Sequence, residues 1–315
     1  MKREEVQSFF RSFQDELCNS LSQLDGQSVF TEDTWSREGG GGGITRVMQN
    51  GALIEKGGVN FSAVSGTISP ALRREIQIPE NQECYFHASG VSVVLHPLNP
   101  FVPIIHMNVR YFEIIPGDGF ERSAPPVSTQ WFGGGIDLTP HYVDRQDAAF
   151  FHRELKVMCD KHHPGYYERF SKWAEDYFFI AHRNESRGVG GVFFDRLCAE
   201  ENMSMERQFA FVKSAAAAFF PLYSAIAGKN RKREYGSREK NWQLLRRARY
   251  AEFNLIYDRG TKFGLESGGR PESIFISLPP SASWIYNFIP TEGSPEAETL
   301  SLLKKRILWE KEQAF

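Results

Sequence analysis

Between Gly90 and Ile115 two runs of alternating residues, GVSVVLHP and PIIHMNVRYFEII, are joined by the short Pro-rich loop LNPFVP, and no other feature restricts the fold as strongly. Successive side chains of a strand point to opposite faces, so His106, Asn108 and Arg110 share one face while Ile105, Met107 and Val109 take the other. In the preceding run Ser92 and His96 likewise oppose Val91, Val93 and Leu95. Paired, the runs place five polar groups on one surface of a sheet. A solvated sheet face usually carries Lys, Glu and Thr, whereas two histidines, a serine, an asparagine and an arginine suit a binding site.

The flanking patterns predict a mixed architecture. Val6, Phe10, Phe13, Leu17, Leu21 and Leu24 recur at helical spacing before Asp25-Gly26, which predicts an amphipathic helix over about residues 4–25. Asn50-Gly51 is a hairpin signal, and with Val59, Phe61 and Ala63 alternating after it the region 44–65 reads as antiparallel sheet. Strands continue at Val91–His96, Ile104–Ile115 and around Val127–Phe132. The period then turns helical across Asp144–His162, Tyr166–Arg183 and Met205–Ala227, the last kinked or broken at Pro221. Tyr250–Tyr257 and Ser273–Leu278 read as strands around a Gly-rich turn, and Ser294-Pro295 opens a closing helix. No linker, composition shift or repeat divides the chain, so the expectation is one α+β domain over residues 1–315, a large sheet covered by helices.

Composition narrows the function. A formal net charge of −2 argues against holding nucleic acid or an anionic membrane by overall charge. Cys18, Cys84, Cys159 and Cys198 are too scattered for a zinc ribbon or CxxC site and read as reduced thiols. The longest uncharged apolar stretch, Ser214–Ala227, is short for a membrane span, and MKREEVQSFF has no signal or transit character, so the expected address is the cytosol. Aromatic residues make up 14% of the chain, which suits a flat ligand or a broad subunit contact.

Several local patterns can carry chemistry. In QWFGGGIDLTP three glycines strip the side chains beside a strand and let a flat group approach the backbone, with Asp137 two residues on. Neither this run nor Gly39–Gly43 has the Lys-Ser/Thr of a phosphate loop. His96, His106, His152 and His182 lack a metal-binding spacing, and singly each reads as a packed or surface histidine. Arg183 and Arg187, at i, i+4 before Gly188, can meet an anion or pair with nearby acids. Arg231–Arg249 reads as a solvated helix face, and Asp258, Arg259 and Lys262 precede a Gly268–Arg270 turn suited to a carboxylate.

Read together, REGGGGGITRV, GVSVVLHPLNP, HMNVRYFE, WFGGGIDLTP, KWAEDYFFIAHRNESRGVGGVFFD, NWQLLRRARYAEFNLIYDRGTKFGL and ESGGRPESI resemble the oxygen-dependent coproporphyrinogen III oxidases, in that family's order and over nearly the whole chain. The resemblance implies oxidative decarboxylation of the ring A and B propionates of coproporphyrinogen III to vinyl groups, giving protoporphyrinogen IX and CO2 in haem biosynthesis. It also implies O2 as co-substrate, a homodimer formed through about residues 250–288, and a flat antiparallel sheet with helices on both sides. By position it implies His106 as proton donor and Asp137 as the acid facing the pyrrole nitrogens. It implies Ser92, Asn108, Val109, Arg110, Gly268, Gly269 and Arg270 as substrate contacts, and His96, His106, His152 and His182 as a divalent-metal site proposed for some bacterial members. Arg110, Arg183, Arg187 and Arg270 are the candidate carboxylate partners, with Asp258 beside them. The departures at Phe150 and Ser186 fall outside these positions.

With no flavin, haem or iron–sulfur signature in the sequence, no organic cofactor is expected and the electron-rich reduced pyrrole is the expected electron source. In that scheme Asp137 orients or deprotonates a pyrrole N–H, dioxygen adds to the ring, and the peroxide removes a propionate β-hydrogen with His106 donating a proton. Two rival readings are a hydrolase using a metal held by the four histidines and a binder of anionic polymer through Arg231–Arg249; neither nucleic acid nor a membrane is an expected partner.

Overall fold

Helix α1 (Arg3–Asp25) turns Val6, Phe10, Leu17 and Leu21 toward the core, and Gln14 in the same stripe donates to the backbone carbonyls of Ile44 and Val59. It stops at Gly26, whose φ of +80° returns its N–H to the Ser22 carbonyl. The computed structural model describes residues 1–68, 70, 73, 78, 83–117, 130–201, 203–266, 269–304 and 306–312. Within them the strands are β1 (Thr31–Ser36), β2 (Gly41–Gln49), β3 (Ile54–Thr67), β4 (Cys84–Pro97), β5 (Ile104–Pro116), β6 (Gln130–Thr139), the short β7 (Phe179–Ile180) and β8 (Glu185–Ser186), and β9 (Gly190–Leu197). Seven of them form one antiparallel sheet in the order β1-β2-β3-β4-β5-β6-β9, while β7 and β8 pair separately. The Asn50-Gly51 signal marks the β2–β3 turn, where Asn50 adopts φ +56°. The expected strand at 127–132 begins, among the described residues, at Gln130.

Register assigns the two faces. Ile44, Phe61, Val91 and Val109 stand in one row across β2 to β5, and with Phe194 they pack against α1, α2 (Arg145–Asp160) and α4 (Met205–Asn230). Helix α3 (Tyr166–Tyr177) lies beside β9. It sends Tyr166 and Phe170 into this core and Ala174 into a smaller cluster with Phe178, Phe193 and Phe253 on the opposite face. On that opposite face a strap formed by α7 (Pro271–Ile274) and the 3-10 turn Phe275–Ser277 crosses β2 to β4. There Asn60 Nδ2 donates to the Ser273 carbonyl (2.8 Å), Lys56 Nζ to that of Leu278 (2.7 Å) and His96 Nε2 to that of Ser277 (2.9 Å). Helices therefore cover both faces, as the resemblance implies.

Five local expectations are corrected. Helix α4 runs unbroken through Pro221, because Phe219, Leu222, Tyr223 and Ile226 keep its buried side packed on either side of the proline. By length and composition α4 could cross a membrane, yet half of its apolar window is buried inside the fold. Helix α3 ends at Tyr177 rather than Arg183, since Phe179–Ile180 joins β8 and the 3-10 turn Ala181–Arg183 closes at Asn184 with φ +52°. Tyr250–Tyr257 is not a strand but the end of α5 (Ser237–Ile256). Residues 250–254 are buried consecutively, and a helix enclosed on all sides loses the apolar stripe that identifies it. Ser273–Leu278 is likewise the strap, not a strand, and α6 (Arg259–Glu266) precedes it. The closing helix α8 (Pro295–Leu303) is capped by Ser294 as expected. The basic run 231–249 is only partly a solvated face: Arg246 and Arg247 are buried, paired to Glu185 and Glu55.

The Asp25 carboxylate ties the end of α1 to the β2–β3 turn. It accepts the N–H groups of Ala52, Leu53 and Ile54 as well as Gln27 and Ser28. Burial alone would raise its pKa, but the backbone donors outweigh it and hold the carboxyl below its ordinary value of 3.8. A depressed folded-state pKa stabilises the protein above the unfolded value and loses that contribution as pH falls through the folded one. Asp25→Asn is therefore expected to lose about 1–3 kcal/mol near neutrality and to flatten the acid limb of stability below about pH 4, read by urea unfolding at stepped pH.

Candidate active site

Pairing of β5 with β6 sets His106 directly opposite Asp137, on the face away from the main core. His106 Nδ1 lies 2.7 Å from Asp137 Oδ1, and Asp137 Oδ2 accepts from Arg187 Nη2 at 2.5 Å. The Asp137 and Arg187 side chains are each 2% exposed and that of His106 is 21% exposed, so the imidazole is the member of this row that a ligand can reach. Burial pushes the Asp137 carboxyl upward, but the Arg187 guanidinium and His106 overcome it and hold the group below its ordinary value. An ionised carboxylate only accepts, so His106 Nδ1 carries the hydrogen and Nε2 is left for a ligand.

Arg187 is fixed from every side. Its Nη1 donates to Asn254 Oδ1 (3.1 Å), and its guanidinium carbon lies 4.3, 4.6 and 4.6 Å from the ring centroids of Phe178, Tyr250 and Phe253. The glycines after it let the chain close on β6: Gly191 has φ +155°, and a β-carbon there would meet the Ile136 carbonyl oxygen at 2.0 Å. Beyond His106 the exposed face continues in rows. Asn60, Ser92, Asn108 and Gly135 stand in register, and next to them Ser62, Gly90, Arg110 and Gly133. Arg110 thus rises between two glycines, donating to Asn108 Oδ1 (3.3 Å) and paired to Asp195 Oδ1 (2.9 Å). With side chains removed at Gly90, Gly133 and Gly135, a flat molecule can lie against the backbone beside His106 and Arg110.

Other expected site residues are placed differently. Val109 points to the opposite face and is wholly buried in the core, so its side chain offers nothing to the cleft. Asp137 is enclosed, with one oxygen engaged by His106 and the other by Arg187. Arg183 and Arg187 do not converge: Arg183, in the 3-10 turn, donates through Nε and Nη2 to Glu252 (2.8 and 2.7 Å), while Arg187 neutralises Asp137. Asp258 accepts from Tyr177 Oη and from the Thr261 N–H and hydroxyl, a capping role at α6 that uses both oxygens. The Gly269 N–H is spent on the Gly264 carbonyl, and Arg270 pairs with Asp33 (2.7 Å) and Glu272 (3.4 Å); Gly268 lies outside the described residues.

The four histidines do not form a metal site. His96 Nε2 bonds the Ser277 carbonyl, His152 bonds Tyr167 Oη and the Val189 carbonyl, and His182 bonds Tyr257 Oη and Glu252. Each ring is held to separate partners, and among the described residues no three His, Cys, Asp or Glu side chains gather to hold an ion. The four cysteines are free thiols, three of them buried.

A sequence model of the family described as Coproporphyrinogen III oxidase matches residues 5–309. The oxygen-dependent coproporphyrinogen-III oxidase of Drosophila melanogaster is 47% identical over 98% of this chain and 78% of its own length. The mitochondrial enzyme of Rattus norvegicus is 47% identical over 94% of this chain and 66% of its own, and the chloroplastic enzyme of Glycine max 47% over 95% and 77%. The chain belongs to the coproporphyrinogen III oxidase family. The expected cytosolic address does not stand, because the rat relative is named mitochondrial and the soybean relative chloroplastic.

The sequence alone did not reveal two parts of the candidate site. Asn254 and the Tyr250 and Phe253 rings lie in a segment read as a strand, which hid their position under Arg187. Asp195 follows Phe193 at strand spacing in GGVFFDRL, a signal that would have placed it on the cleft face. Because the Arg187–Asp137 pair is buried, Arg187→Met strands a charge, and the expected loss of stability is about 3–5 kcal/mol. Adding Asp137→Asn to Arg187→Met should restore part of it, and a denaturant double-mutant cycle measures the coupling.

Proposed function

We infer that this chain oxidatively decarboxylates the ring A and B propionates of coproporphyrinogen III to vinyl groups with O2 as oxidant, yielding protoporphyrinogen IX and CO2 for haem synthesis. The observation that carries the reading is the low, glycine-stripped floor on which His106, backed by Asp137 and Arg187, stands one row from Asn108 and two from Arg110. A tetrapyrrole with propionate arms needs such a surface: flat, with a proton-bearing group and a cation set apart from it. Each conversion removes a propionate β-hydrogen with its electron pair and releases the carboxyl carbon as CO2. The electron pair passes to dioxygen, and one proton completes hydrogen peroxide. His106 is the group placed to supply that proton: as the imidazolium it carries hydrogen on both nitrogens, its Nδ1–H held by the ionised Asp137 and its Nε2–H facing the ligand. Arg110, with Ser92 and Asn108 beside it, receives a propionate carboxylate. No step is routed through a metal, since the histidines have other partners. Incubating the purified protein with coproporphyrinogen III should give divinyl product in air and none under argon, and His106→Ala should lower kcat by about 10²-fold or more while binding of the macrocycle persists. Equal vinyl yield without oxygen would refute the assignment.

The protein works as a homodimer in this reading. Trp284, Ile285, Tyr286 and Ile289 form an exposed apolar run, with Tyr286 99% and Ile289 77% exposed, beside a groove of about 570 Å³ whose walls include Trp242, Leu245 and Phe288. Leu255 and Ile256 are exposed at the end of α5 as well. Apolar surface of this kind is usually covered by another subunit. Replacing Tyr286 and Ile289 together by Asp should halve the mass seen by light scattering.

A further inference from the structure

The pairing of β6 with β9 contains an irregularity on the cleft face, beside Arg110. Along β6 and β9 the register runs Gly135 to Phe193 and Gly134 to Phe194, but Phe132 meets Leu197, so Asp195 and Arg196 together oppose Gly133. This is a β-bulge, with Arg196 in the left-handed region at φ +51° and its N–H donating to Asp195 Oδ1 at 3.0 Å. The extra residue returns Leu197 to the core, where it is 1% exposed, while Asp195 keeps the cleft face and stands 24% exposed. Gly133 supplies the gap: a β-carbon there would lie 2.5 Å from Asp195 Oδ1 and 2.8 Å from Arg110 Nε. Across that gap Asp195 reaches Arg110 Nη2 at 2.9 Å, with the arginine side chain 37% exposed. A left-handed arginine is uncommon in a strand and costs conformational energy; here it returns Leu197 to the core and turns the Arg196 N–H onto the Asp195 carboxylate that faces Arg110.

We propose that Asp195 is a built-in substitute for a substrate carboxylate: it holds Arg110 when no propionate does and is displaced on binding, so that it sets the cleft's affinity for carboxylated macrocycles. The proposal rests on the functional reading above, in which Arg110 receives a propionate. A carboxylate beside the receiving arginine weakens every anion that enters, and the weakening is tolerable only for a ligand that brings its own carboxylate to exchange. A vinyl group in the same place cannot compete with Asp195 for the guanidinium, so Asp195 separates carboxylated substrate from decarboxylated product. Asp195 is a positioning and specificity residue, acting through Arg110.

Coproporphyrin III, the oxidised and unreactive macrocycle, reports the effect by fluorescence quenching, with its neutral tetramethyl ester as control. Asp195→Asn keeps an oxygen acceptor for the Arg196 N–H, and so the bulge, while removing the charge. It should bind coproporphyrin III roughly three- to tenfold more tightly than wild type, in line with a half-exposed charge interaction. The gain should vanish in an Arg110→Gln background and be missing for the ester. Unchanged or weaker binding by Asp195→Asn, or a gain that survives Arg110→Gln or extends to the ester, overturns the proposal alone. No binding of coproporphyrin III by the wild type overturns the functional reading along with it.

Discussion

The buried Arg187–Asp137 pair is what the site is built around. Two opposite charges at 2.5 Å, each 2% exposed, cost much desolvation energy, and such a pair rarely stabilises a fold better than apolar residues of the same volume. Its value lies in what it fixes. Asp137 is kept ionised in a dry place, and an ionised acceptor dictates which nitrogen of His106 carries hydrogen. The surroundings over-determine the arginine as well: one amide acceptor, three aromatic faces and a glycine-permitted approach of its strand to β6 leave the guanidinium a single position.

Register makes the rest of the cleft from that anchor. Because side chains alternate, the row that holds His106 and Asp137 determines which residues of every other strand share their face. Glycine at 90, 133 and 135 then lowers the floor around Arg110 and Asn108 without disturbing the apolar face that packs on α1 and α4. The bulge at Asp195–Arg196 overrides this alternation beside Arg110 and returns the next residue to the core face.

The sheet half of this arrangement was legible in the sequence. Alternation in GVSVVLHP and PIIHMNVRYFEII places Ser92, His106, Asn108 and Arg110 on one face, and the structure pairs those runs with Ser92 opposite Asn108. The partnering of charges was not legible, because distance along the chain says nothing about which acid meets which base. Arg187 and Asp137 are 50 residues apart, as are no two members of any local motif, and Arg183 and Arg187 looked like a pair only on a helix that ends before them. The helical half was obscured where burial is complete: residues 250–254 of α5 are buried in succession and give no period, so Tyr250 and Phe253 read as strand. The four histidines share a family likeness in position, but each is committed to hydrogen bonds that only the folded neighbours reveal.

One carboxylate links the cleft wall to the exposed apolar run. Glu252, on α5, accepts from Arg183, His182, Arg249 and Trp284 Nε1. Burial opposes its charge, yet the donors from Arg183 and His182, with Arg249 and Trp284, pull its pKa down to about 2. Two residues earlier on the same helix Tyr250 faces Arg187, and one residue later Phe253 does. A helical turn that carries the aromatic bed of Arg187 on one side and the anchor of Trp284 on another cannot shift for one without the other, since packed interiors deform as units. Subunit contact through the Trp284–Ile289 run would therefore bear on the orientation of Arg187, and through Asp137 on that of His106, by a chain of direct contacts rather than by the substrate.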